Sequence, residues 1–244
     1  MYNILKKELK LFFQSTIAYI LLGSYWTISS LLLFVLDTDF NLFNNKFADF
    51  NTFFEITPWF IIIIIPALSM RSFVDEFKHG TIEILYSKPI SVESILFSKF
   101  LSSFLLYIIT ILPTFYYVVF LNSFTTNEST IDWGNILSGY IGIILLGITF
   151  ISISLFFSIL FKSQISALIS SFTICLFQFQ LWYEIGLFTS SDILYNLFNL
   201  IGIKSHYEKL ISGVIYINEI GYFIGLSLIF VGLSIFLLKK NKHL

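Results

Sequence analysis

The chain has 244 residues, of which 57% are hydrophobic and 12% charged, and its formal net charge is -1. Soluble domains carry roughly 25% charged residues, so this composition, with a mean hydropathy of +0.86, defines an integral membrane protein. The charge balance gives no basic signal for a nucleic-acid partner, and the single cysteine, Cys175, excludes an intrachain disulfide and a multi-cysteine metal site.

Residues 1–14 predict a helix with two faces. Asn3, Lys6, Lys7, Lys10 and Gln14 recur at three and four residue steps, with Leu5, Leu9 and Phe12 opposite. Such a helix lies along the cytoplasmic interface or forms a basic flank to the first span. The apolar run behind it exceeds 20 residues and no A-x-A-like site follows, which argues against a cleavable signal peptide.

A spanning helix needs about 20 apolar residues. Five segments qualify: about 15–36, 100–121, 135–161, 163–183 and 220–238. A sixth, 56–70, is short unless it runs on helically through 72–74, with Pro66 as a kink. Six spans place both termini on one side, together with Lys6, Lys7, Lys10, Arg71, Lys78, Lys88, Lys99, Lys162, Lys239, Lys240 and Lys242. The other side receives Lys46, Lys204 and Lys209, and eleven against three puts both termini in the cytoplasm. Trp59, Trp133 and Trp182 then fall at outer span ends, as an aromatic belt or as packing.

Between the second and third spans stands "FKHGTIEILYSKPIS". Helical periodicity at Phe73, Val74 and Phe77 breaks at Gly80, which suits a left-handed C-terminal cap. Thr81 then serves as N-cap, Glu83 sits in the next first turn, and Pro89 stops the second short helix. Phe73, Phe77, Ile84, Leu85 and Tyr86 are too apolar for a solvated loop, while Asp75, Glu76, Lys78 and Glu83 are too charged for a membrane-buried one. The mixture fits either a surface that docks a soluble protein or an amphipathic segment on lipid headgroups.

In the fifth span, Ser163, Ser166, Ala167, Ser170, Ser171 and Gln178 share a face opposite Ile165, Leu168, Phe172, Leu176 and Phe179. The fourth has a weaker stripe at Ser138, Gly142, Thr149 and Ser152. Either stripe reads as close helix packing or as a translocation lining. The region 184–219 holds a candidate seventh span at 185–203, which would shift the count to ten against four. Asp192 in its middle would cost about 2.5 to 3.5 kcal/mol, so short outer or re-entrant helices are expected.

No G-x-x-x-x-G-K-[ST] phosphate loop occurs, and no charge lies in the middle of the five firm spans. His79, His206 and His243 are scattered over different loops, so neither a metal cluster nor a catalytic triad is expected. No catalytic residue, cofactor-binding residue or metal ligand is assigned.

The segment "EFKHGTIEILYSKPIS" resembles the E-x-x-x-G-T-x-E-x-L-x-x-x-P-[IV]-[ST] stretch of ABC-2 type exporter permeases, with Glu76, Gly80, Thr81, Glu83, Leu85, Pro89, Ile90 and Ser91 in register. "SHYEKLISGVIYINEIGYF" resembles the segment before the last span of that family. Within the family the chain is most similar to gliding-motility-associated permease subunits, and the likeness covers essentially the whole chain. It implies an all-α, six-helix transmembrane domain over 1–244, with an interfacial helix at 1–14, a coupling helix region at 71–91 and outer re-entrant helices in 184–219.

By that resemblance 71–91 seats in a cytoplasmic ATPase subunit. Phe73, Phe77 and Leu85 would be apolar anchors, Glu76 and Glu83 polar contacts, Gly80, Thr81 and Pro89 would shape the contact, and Lys162 would add a smaller one. It also raises Ser163, Ser166, Ser170, Ser171 and Gln178 as pathway lining. The expected partners are an ABC ATPase that carries the ATP, a second permease subunit, identical or paralogous, and the lipid of a bacterial cytoplasmic membrane. The function implied is a permease subunit of an ATP-driven exporter; a non-transporting scaffold of a motility or secretion assembly is the alternative.

Overall fold

The computed structural model describes residues 2–42, 50–124, 132–189 and 191–242; Lys46 and His243 lie outside them. It is all-helical, with no strand among the described residues. In chain order these are α1 (Tyr2–Phe13), α2 (Thr16–Phe34), α3 (Asn51–Ser69), α4 (Arg71–Lys78), α5 (Thr81–Ser87), α6 (Val92–Ile111) and α7 (Phe115–Phe124). Then follow α8 (Trp133–Leu160), α9 (Gln164–Leu176), α10 (Trp182–Phe188), α11 (Asp192–Ile201), α12 (Ile203–Ile211) and α13 (Ile217–Lys242). Among the described residues six helical stretches are long and apolar enough to cross a membrane: Thr16–Phe34, Asn51–Lys78, Val92–Ser123, Trp133–Leu160, Gln164–Phe188 and Ile217–Lys242.

Local chemistry sets the helix starts. Ser15 accepts from the Ala18 amide (3.3 Å), Ser91 from Ser94 (3.2 Å), and Asp132 from both Gly134 and Asn135 (2.9 and 3.2 Å). The second span is longer than the apolar run suggests, because Met70 stays helical and α4 continues α3. It also carries a second proline. Pro58 has no amide to give the Phe54 carbonyl four residues back, and the Tyr207 hydroxyl of α12 donates to that carbonyl at 2.7 Å.

Helix α8 is the axis of the bundle, with Ile143, Leu146, Phe150 and Ile153 fully buried. Its small residues admit aromatic side chains from three neighbours: Gly139 receives Phe54 of α3, Gly142 receives Tyr207 of α12, and Gly147 receives Tyr107 of α6. The fourth-span stripe is thus a packing seam: Ser138 and Thr149 are buried, and Thr149 Oγ1 stands 3.2 Å from Ser227 Oγ of α13. Toward the rim, α2, α9 and α13 leave large apolar faces open.

The candidate seventh span breaks into α10, α11 and α12, none long enough to cross a bilayer. Together they cap one end of the bundle. Gln178 Nε2 donates to the Ile201 carbonyl (3.0 Å), and His206 lies between the Leu200 carbonyl (3.0 Å) and the Glu219 carboxylate, stacked on Tyr222. Trp182 is also used in packing, donating to Gln178 Oε1 (3.0 Å) and stacking on Phe198. Trp59 and Trp133 remain about half exposed.

Candidate coupling site

Both ends of the described chain meet the α4–α5 elbow at the end of the bundle opposite this cap. Lys99 of α6 joins α1 to α4 there, Tyr86 of α5 donates to the Leu238 carbonyl of α13 (3.3 Å), and Lys239 pairs with Glu93 at 2.6 Å.

The elbow turns at Gly80, whose φ of 66° is in the left-handed region. Thr81, expected as the N-cap, is instead the first residue of α5; Gly80 takes the cap position without a side-chain hydrogen bond. Helix α5 stops at Ser87, and Lys88 is extended (ψ 152°), as the residue before Pro89 must be. A Cβ at Gly80 would meet nothing within 4 Å, so Gly80→Ala is expected to cost about 1–2 kcal/mol from backbone conformation alone. Thermal unfolding of the purified variant in detergent measures it, and an unshifted midpoint would mean that the turn relaxes freely.

Three expected contacts turn out to face the bundle. Phe73 is fully buried, Glu76 is 5% exposed and Leu85 9%, because the apolar side of α4 and α5 lies on the spans. The Phe73 amide donates to Ser158 Oγ of α8 (3.0 Å), and Ser158 in turn donates to the Met70 carbonyl (3.3 Å). Asp75 accepts from Gln164 at the start of α9. What the elbow presents outward is Lys78, His79, Gly80, Glu83, Ser87, Lys88 and Pro89, flanked by half-buried Phe77 and Thr81. Ile84, at 59% exposed, is the large apolar side chain of this surface, and Lys162 is exposed nearby between α8 and α9.

The residue that sequence reading misses is Lys99. Its side chain is completely buried; the ammonium donates to Glu8 Oε1 at 2.7 Å and to the Ser72 carbonyl, and pairs ionically with Glu76 Oε2 at 3.1 Å. The ammonium also lies 4.9 Å from the centre of the Phe73 ring. Lys7 closes the cluster at 3.6 Å from Glu76 Oε1. Burial, with Glu76 nearby, pushes the Tyr86 phenol up, so it remains a donor to Leu238. A signal existed in the sequence, since Lys99 stands inside "ILFSKFLSSF" rather than before it.

Physically, α4–α5 is a bracket held at four points. Ser158, Gln164, Lys99 and Leu238 tie it to α8, α9, α6 and α13, and Glu8 adds α1. A load applied to the exposed turn is therefore delivered to most of the bundle.

The expected polar face of the fifth span divides. Ser171 is buried with Ala167 and bonds the Ala167 carbonyl, whereas Ser166 and Ser170 are half-buried and Ser163 is exposed. A π-helical turn at Phe177–Leu181 then rotates the remainder of the helix. Gln178 is consequently engaged with the cap, and Phe179 is buried against Trp59 and Tyr207. Phe179 lines a cavity of about 470 Å³ under the cap, together with Glu55, Trp59, Lys204, Tyr207 and Glu208. Burial raises the Glu208 carboxyl, Lys204 opposes the shift and Glu55 adds to it.

Six apolar helices among the described residues, with α8 as their buried axis and a bracket of short helices at one end, define a multi-pass membrane protein. The family model of the ABC-2 family transporter proteins matches residues 2–243, and the chain belongs to that family. A search of curated proteins finds no match.

Proposed function

We propose that the chain is the membrane-spanning subunit of an ABC-2 exporter in the bacterial cytoplasmic membrane, and that a separate ABC ATPase drives it by docking on the α4–α5 elbow. The observation that carries this is the bracket: an exposed turn with one apolar side chain, Ile84, and mixed charges around it, wired by hydrogen bonds and ion pairs to four spans. ATP-driven closure of the motors would move the turn, and the bundle would follow between two states. Family membership supports the ATPase partner. The eleven-to-three bias of Lys and Arg supports an elbow on the cytoplasmic side. A role in gliding rests on the sequence resemblance, and loss of surface spreading on gene deletion would test it.

The docking experiment is co-purification. Gly80→Pro combined with Glu83→Lys, and separately Ile84→Arg, should lower ATPase recovery by at least about tenfold while leaving membrane insertion unchanged. All three residues are exposed or make no inward contact, so undiminished recovery would refute docking here. ATPase activity that responds to the permease in vesicles separates transport from scaffolding. Topology is tested with Lys78→Cys and Lys209→Cys, since native Cys175 is fully buried; labelling of Lys78→Cys from outside intact cells would invert the orientation.

A further inference from the structure

Beside the bracket, α1, α4 and α6 enclose a cleft of about 410 Å³ whose polarity is graded. At the elbow end its wall carries Lys7, Arg71, Asp75 and His79; one to two turns deeper it is Leu11, Phe12, Leu68 and Leu106. The carboxylates around it are already engaged: Glu8 and Glu76 by Lys99 and Lys7, and one oxygen of Asp75 by Gln164. Arg71 is different. Its guanidinium has no hydrogen bond or ion pair with any described residue, and its Nε is buried without an acceptor. Ser103, 3% exposed and lining the same cleft, likewise has no partner among the described residues.

We propose that this cleft binds one phospholipid with an ethanolamine headgroup, its phosphate on Arg71 and Ser103, its ammonium on Asp75, and an acyl chain along Leu11, Phe12, Leu68 and Leu106. The guanidinium fork matches a phosphate in geometry and charge. A carboxylate beside it disfavours an ion that is purely anionic and suits a zwitterion whose ammonium lies next to its phosphate. The apolar depth excludes a wholly hydrophilic ligand. This inference goes beyond the coupling reading and rests only on membrane embedding; it makes a lipid the filler between the interfacial helix and the bracket.

The test is native mass spectrometry of the full chain purified in mild detergent, followed by back-titration with phosphatidylethanolamine, phosphatidylglycerol or inorganic phosphate. The wild type should retain phosphatidylethanolamine, and Arg71→Gln should lower its occupancy by about tenfold, whereas Lys78→Gln on the exposed surface should not. Asp75→Asn should shift the preference toward phosphatidylglycerol. Should Arg71→Gln fail to fold, Ser103→Leu fills the cleft without touching a charge and should also lose the lipid. Equal retention by Arg71→Gln and wild type overturns the proposal. So does binding of inorganic phosphate as tight as that of the lipid, which would mark a free-anion site. Unchanged lipid combined with lost ATPase recovery overturns it as well, and would assign the cleft to the protein partner.

Discussion

Lys99→Met is expected to be among the most damaging single changes in the molecule, at about 3–5 kcal/mol. The lysine is fully buried, and its removal takes the buried cation from between Glu8 and Glu76, leaving only the half-exposed Lys7, 3.6 Å from Glu76, while the Ser72 carbonyl loses its donor. Breaking one member of a buried ionic cluster costs that much because the remaining charge is stranded, whatever the net worth of the intact cluster. The check is internal: adding Glu8→Gln and Glu76→Gln to Lys99→Met removes the stranded charges and should recover most of the loss. Melting of the purified protein reads the stability. ATPase stimulation by the triple variant reads whether the cluster also transmits motion. If Lys99→Met melts with the wild type, the lysine is not the buried keystone described above.

Gly147 predicts the second large effect. A Cβ there would stand 2.0 Å from the Tyr107 ring. That ring has nowhere to retreat, being 1% exposed with its hydroxyl donating to the Ile143 carbonyl at 2.7 Å. Overpacking costs about 1–3 kcal/mol, and a lost buried hydrogen bond adds about 1–3 kcal/mol, so Gly147→Ala should cost roughly 3 kcal/mol or more. Adding Tyr107→Leu, which shortens the intruding side chain, should return part of it. Gly23→Ala is the control, since a Cβ at Gly23 meets nothing within 4 Å and alanine is the better helix former by about 1 kcal/mol. Equal melting of both glycine variants would mean that α6 and α8 are not as closely apposed as the structure has them.

Much of the architecture is readable from hydropathy because the lipid core demands apolar runs of fixed length, and α2, α8 and α13 fall within a few residues of the expected spans. The ends of α3 and α6 are less legible for one reason. Asn51 to Glu55 and Val92 to Lys99 carry polar groups that the bundle satisfies from afar, as with Tyr207 at Phe54 and Glu8 at Lys99. In the elbow, Gly80 and Pro89 announce the turn and the stop through local backbone chemistry. Which side is covered does not show in periodicity, since Phe73 is held by a serine 85 residues away. The fifth span misleads for a third reason: a single wide turn at Phe177–Leu181 changes the angular step on which any helical-wheel argument depends.

Met70 and Tyr207, ordinary in isolation, acquire a joint meaning. Because the chain does not break at Met70, Asn51–Lys78 forms a shaft of 28 residues, about 42 Å end to end. Its far tip is pinned to the cap through the carbonyl that Pro58 leaves vacant. The opposite poles of the molecule are thereby joined by a single mechanical member, and a tilt imposed at one pole arrives at the other less whatever bending Pro58 and Pro66 absorb.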